Sequence, residues 1–167
     1  MKPPTLHLAR AAVLLAALIA LSGCGSGARE IRGELPLIRF EGLIVEASEV
    51  RLAIGLRNVN DRSLALRRLK AVLKVEDELL LETETRPQIE ISARGREVVT
   101  LRGSGQREGL RLLTQRFAPT PGSELPANAG NAAWTMELIL TDERERESAA
   151  NASGFLHPVP GRPGHFR

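Results

Sequence analysis

One thiol, three imidazoles and the serine of Gly103-Ser104-Gly105 are the side chains in this 167-residue sequence to weigh first for covalent or metal chemistry. Cys24 is the single cysteine, so it can act as a nucleophile or an attachment point but has no partner for an intrachain disulfide. A metal centre needs three or four converging ligands. His7 lies in an apolar N-terminal segment, and His157 and His165 stand near prolines at the C-terminus, so all three read as non-ligating. Gly103-Ser104-Gly105 fails as a nucleophile elbow, because Arg102 and Gln106 occupy the places that need glycine. It also fails as a phosphate loop, since no Gly-Lys-Ser/Thr follows. The acidic pairs Glu76/Glu78 and Glu82/Glu84 fall on expected hairpin positions that face solvent. Asn58 and Asn60 read as residues that hydrogen-bond their own turn. No catalytic, metal or cofactor set emerges, and the chain is not expected to be an enzyme.

Cys24 gains its meaning from what precedes it. Lys2 and Arg10 give a positive start, Ala11 to Leu21 is uncharged and apolar, and Ser22 and Gly23 are the small residues a peptidase accepts. The apolar run is shorter than the roughly 20 residues needed to cross a bilayer, so a secretory signal is expected rather than a permanent span. Leu21-Ser22-Gly23-Cys24 resembles the lipobox of bacterial lipoproteins. That resemblance implies cleavage before Cys24, a diacylglycerol on its sulfur and acylation of the new N-terminus. Two or more acyl chains anchor stably where one is marginal. Gly25, where Asp would imply inner-membrane retention, implies an outer-membrane anchor facing the periplasm. Asn151-Ala152-Ser153 matches a glycosylation acceptor, which a bacterial reading discounts.

Loss of residues 1–23 removes Lys2 and Arg10 and lowers the formal charge from +3 to +1. The chain has no Tyr and one Trp, and its arginines alternate with glutamates. A nucleic-acid surface would instead show a basic patch with stacking aromatics, so no nucleic-acid partner is expected. With no crosslink available, one apolar core must hold the domain.

The expected parts are a signal at 1–23, a lipidated tether at 24–36, a folded domain at 37–157 and a flexible tail at 158–167. Val50, Leu52, Ile54 and Leu56 alternate with Arg51, Ala53, Gly55 and Arg57, the mark of a strand with one buried face. Trp134, Met136, Leu138 and Leu140 repeat it. Ile38 and Phe40 are followed out of phase by Leu43 and Val45, which predicts a β-bulge at Gly42. Leu69 to Val75, returning through Leu79, Leu81 and Thr83, reads as a hairpin, with helix over 64–81 as the competing reading. Shorter strands are expected at 63–66, 89–91, 98–101 and 148–156. Leu110, Leu113 and Phe117 predict one helix over 106–117, capping the core in preference to lying on a membrane. Residues 118–130 read as a loop. The sum is an all-β antiparallel sandwich, immunoglobulin- or fibronectin III-like, of about seven strands with one short helix.

The run Val50 to Asn60, with the Asn58-Val59-Asn60 turn, Leu64, Leu66 and the hairpin Leu69 to Leu81, resembles the late-embryogenesis-abundant group 2 family, also called the water-stress-and-hypersensitive-response (WHy) domain. Trp134 to Leu140 and Gly154-Phe155 match its closing strands, so the resemblance covers about 37–157. Val59 stands where the family usually has proline. The resemblance implies a seven-stranded sandwich and a protective or interaction role in envelope or desiccation stress. Expected partners are the membrane, through lipid on Cys24, and an envelope protein recruited by strand addition. Two alternatives accompany it: a carrier of an apolar ligand between the sheets, and an accessory subunit of an envelope assembly.

Overall fold

A computed structural model describes residues 30–117 and 130–167. The signal, Cys24, His7 and the loop 118–129 lie outside the described residues. One compact unit runs from Ile31 to Arg167. Its described residues form nine strands and one helix, in the order β1 (Leu37–Glu46), β2 (Glu49–Arg57), β3 (Leu64–Val75), β4 (Glu78–Thr85), β5 (Ile89–Ile91), β6 (Arg96–Ser104), α1 (Arg107–Phe117), β7 (Ala132–Asp142), β8 (Glu147–Leu156) and β9 (His165–Phe166).

The strands make two antiparallel sheets. The first runs β6-β2-β1-β9, and the second β4-β3-β7-β8, with β5 paired to the start of β3. The chain changes sheet between β2 and β3, returns between β5 and β6, and crosses again through α1 into β7, so both sheets mix distant segments. This is the antiparallel sandwich that the alternation predicts. The two cleanest patterns became the central strands β2 and β7, because a strand with neighbours on both sides buries one full face. Val50, Leu52, Ile54 and Leu56 are completely buried, and Trp134, Met136, Leu138 and Leu140 nearly so. They meet Leu69, Ala71, Leu73 and Val75 of β3 and Leu101 of β6 in one core.

The predicted bulge is present: the β1–β2 register shifts between Phe40 and Gly42. The segment 64–81 is strand and not helix. The strand expected at 63–66, beginning one residue later at Leu64, and the one at 69–75 are a single strand, β3, whose pairing with β7 shifts between Leu66 and Arg68. A further bulge was not foreseen. Leu73 pairs with Leu81 but Lys74 pairs with Leu79, so Leu80 is the extra residue and turns fully buried.

The ends of the domain also differ from expectation. Ile31 to Glu34, read as tether, is already hydrogen-bonded to the loop after β2. The tail, read as flexible, folds back on itself: His157 and Arg167 exchange two backbone bonds of 2.9 Å, and Pro158 bridges Phe166. Residues His165 and Phe166 then pair with Ile44 and Leu43, and Phe166 enters the core. Gly164 makes this possible. Its φ is +76°, and a Cβ there would collide with the Val45 carbonyl oxygen.

Candidate functional site

Each end of the sandwich has its own closure. At the end where β2 finishes, Asn58 is completely buried. Its side-chain amide donates to the carbonyls of Arg62 (2.7 Å), Ile91 (3.2 Å) and Ser92 (3.1 Å). Its Oδ1 accepts from the backbone N–H and the side-chain amide of Asn60, each at 3.0 Å. Asn60 in turn binds Glu34, accepting its N–H and donating to its carbonyl, both at 2.8 Å. The reading that these asparagines bond their own turn is therefore half of the arrangement. They also tie the β5–β6 loop and the entering chain to that turn, which only the folded pairing of distant segments brings within reach.

Asp61 completes this polar end. Its carboxylate accepts from the Ile31 N–H at 2.7 Å and from Arg94 Nε at 2.8 Å. The Arg94 hydrogen bond, followed by that of Ile31, holds the Asp61 carboxyl below the usual carboxylate range. On the same end, Asp142 closes the β7–β8 turn by accepting from the N–H groups of Arg144 and Arg146 and from the Arg146 guanidinium. Burial acts to raise the Asp142 pKa, but those donors outweigh it and the net direction is downward.

The opposite end is closed by α1. Gly109 and Leu113 are its buried residues, and the helix lies on β4 at the Leu80 bulge. A Cβ at Gly109 would sit 2.7 Å from the Leu79 carbonyl oxygen and from the Leu80 Cα. Phe117 packs on Phe166 with ring centroids 5.0 Å apart. The Gln106 N–H donates to the Leu80 carbonyl at 2.8 Å, fixing the helix start to the same bulge. The helix thus caps core, as its apolar spacing predicts.

The other residues singled out by type are dispersed. Ser104 ends β6, His157 follows β8 and His165 begins β9. Glu82 pairs with Lys70 at 2.7 Å, Glu76 with Arg116 at 3.7 Å and Glu84 with Arg68 at 4.0 Å. Among the described residues no group of three or more His, Cys, Asp or Glu is placed to hold a metal ion, and no helix is long and apolar enough to cross a membrane. Two grooves open at the surface. One lies beside β5 and the β7–β8 turn, between Arg67, Arg68, Arg86, Glu90, Glu143 and Glu145. The other lies between β3 and β8 over Val72, Lys74, Thr135, Glu137 and Ser153. The first is lined mainly by charged and polar groups, and the second, which also takes in Met136 and Ala152, mixes polar and apolar groups in near-equal share.

Composition hid one surface that the topology exposes. Strand β8 pairs with β7 over an unbroken register from Glu147 to Leu156, and among the described residues its other edge has no ladder partner. Phe155 is 59% exposed beside it.

The fold defines a class: a two-sheet antiparallel sandwich with a helix-capped end. No protein-family model matches the sequence, and no curated protein sequence matches it. Solved structures resemble it to differing degrees. A protein provisionally classed as late-embryogenesis-abundant is 11% identical with a TM-score of 0.50, the match covering 93% of this chain and 88% of that one. An Arabidopsis thaliana protein is 8% identical (TM-score 0.48; 80% and 92% covered), and an Archaeoglobus fulgidus protein is 10% identical (TM-score 0.48; 75% and 98% covered).

Proposed function

We propose that this chain is a non-enzymatic, lipid-anchored envelope domain that acts through surface contacts, in protection under stress or in holding a partner. The observation that carries the reading is the sandwich shared with the protein provisionally classed as late-embryogenesis-abundant. The lipobox-like Leu21-Ser22-Gly23-Cys24 supports the anchor and, with Gly25 after it, an outer-membrane site facing the periplasm. The clamp on Ile31 supports a short tether. Ile31 lies seven positions after Cys24, a reach of at most about 25 Å, so a lipid on Cys24 would keep the polar end close to the membrane surface.

The test is intact mass and membrane fractionation of the full-length protein beside Cys24→Ala. Wild type is expected to lose residues 1–23, gain acyl mass and sediment with outer membrane, while the variant does none of these. A soluble wild type with a free thiol removes the anchor. Lipid extracted in stoichiometric amount from the Cys24→Ala protein would favour an apolar-ligand carrier instead. A labile enzyme dried with and without the purified domain tests protection directly.

A further inference from the structure

A sheet edge carries a row of unpaired backbone donors and acceptors, and proteins blunt such edges with charge, bulges, proline or a covering segment. Three of the long edges here are blunted. Strand β4 carries Glu78, Glu82 and Glu84 and the Leu80 bulge. Strand β6 carries Arg96, Glu97 and Arg102. The free half of β1 carries Arg39, Glu41 and a bulge, and its other half is covered by β9. Among the described residues strand β8 has only one of these devices, the charge of Glu147 at its very start. From Ser148 to Leu156 it has no charge and no proline, and its ladder with β7 has no bulge.

Self-pairing is also compatible with the charges around β8. Two β4 edges brought together would set glutamates against glutamates, which is unfavourable across a strand pair. Two β8 strands meeting antiparallel about a two-fold axis at Ala152 would oppose no like charges. Phe155 of each copy would lie on Ala149 of the other, and Asn151 would face Ser153. Just beyond the paired run, Glu147 of one copy would face His157 of the other, beside the Arg167 whose backbone is bonded to His157. We infer that β8 is a homodimerisation edge, and that its occupant is β8 of a second copy in this register. Such a contact is isologous and closes at two, and it joins the two second sheets into one.

This goes beyond the proposed function and does not depend on it, since the edge is the same with or without a lipid on Cys24. The test is sedimentation equilibrium of the purified full-length protein in detergent. Two doubly substituted chains accompany it, each checked for an unchanged circular-dichroism melt. Asn151→Lys with Ser153→Lys sets lysine against lysine twice. Asn151→Lys with Ser153→Glu sets lysine against glutamate twice, in this register only. Wild type is expected to be dimeric. The first variant should weaken the dimer at least about tenfold, and the second should return to within a few-fold of wild type. A monomeric wild type overturns the inference, as does a lysine–lysine variant that dimerises like wild type. A lysine–glutamate variant as weak as the lysine–lysine one overturns the register, and capture of a different protein on β8 in place of a second copy overturns the occupant. Repeating the series in Cys24→Ala separates the two readings, because loss of the anchor leaves the dimer intact.

Discussion

At one end of the sandwich a single buried asparagine side chain holds the carbonyls of Arg62, Ile91 and Ser92 together, while at the other a helix sets Gly109 against the Leu80 bulge and buries Leu113. Both closures keep water from the same leucine-rich core. Hydrogen bonds are directional, so the polar closure dictates where three separate stretches of chain must run. It is costly to disturb in part, because each orphaned group is left buried. Apolar burial has no direction, so the helical closure tolerates changes of identity and resists changes of shape. That asymmetry can be broken or sharpened experimentally.

The largest effect is expected from Asn58→Ala. It strips partners from three carbonyls and from the Asn60 amide at once, and should cost about 3–4 kcal/mol in denaturant unfolding. Asn58→Asp should recover only the contacts that Oδ1 makes. A loss below 1 kcal/mol for the alanine variant would show that the polar end is dispensable. Leu113→Ala comes next, at about 2–3 kcal/mol, through lost burial and the cavity left beneath α1. The shape test is Gly109→Ala. Alanine favours helix intrinsically, yet its Cβ has no room against the β4 backbone, so a net loss of about 1–2 kcal/mol is expected. A gain in stability would mean that the helix can ride away from β4.

Thr141→Val should move stability the other way. The Thr141 hydroxyl is buried without a hydrogen-bond partner among the described residues, so an isosteric methyl should be neutral or stabilising by about 1 kcal/mol. The smallest effect is one of pH. Asp61 and Asp142 both have carboxyls held below their ordinary range, so their contribution is complete above the unfolded carboxylate value, about pH 4. It is lost as the pH falls through their lower folded values. Hydrogen exchange in acid should therefore speed first at Ile31 and Arg146 on the polar end, and Asp61→Asn should flatten that response. Equal acceleration along α1 would break the distinction between the ends.

Much of this architecture could be read from spacing. Strict alternation marks β2 and β7 because central strands bury one side completely, and the out-of-phase glycine marks the β1 bulge. The helix is legible for the same reason, with Leu113 on its buried face. Other features depend on partners that lie far away in sequence. The Leu80 bulge leaves no signature among three consecutive leucines, since any phase of Leu79-Leu80-Leu81 is apolar. The tail looks loose because its prolines and glycines signal turns, while its docking depends on one aromatic residue, Phe166, fitting between Leu43 and Phe117. The polar closure was half legible. Asn58 and Asn60 announce a turn, but nothing local says that Glu34 and Ile91 will lie beside it. The bare β8 edge is a statement about neighbours, and only the sheet order supplies it.

Ile31 and Arg167 lie at opposite poles of the domain, Ile31 at the polar closure and Arg167 next to the Phe166 that packs on the helical one. A load applied between them would run through β9, whose ladder to β1 is two residue pairs, before reaching the nine-pair ladder of β1 with β2. The tail would then act as a mechanical fuse. Residues 157–167 would peel away first and pay out on the order of 35 Å of slack while the two sheets stay closed.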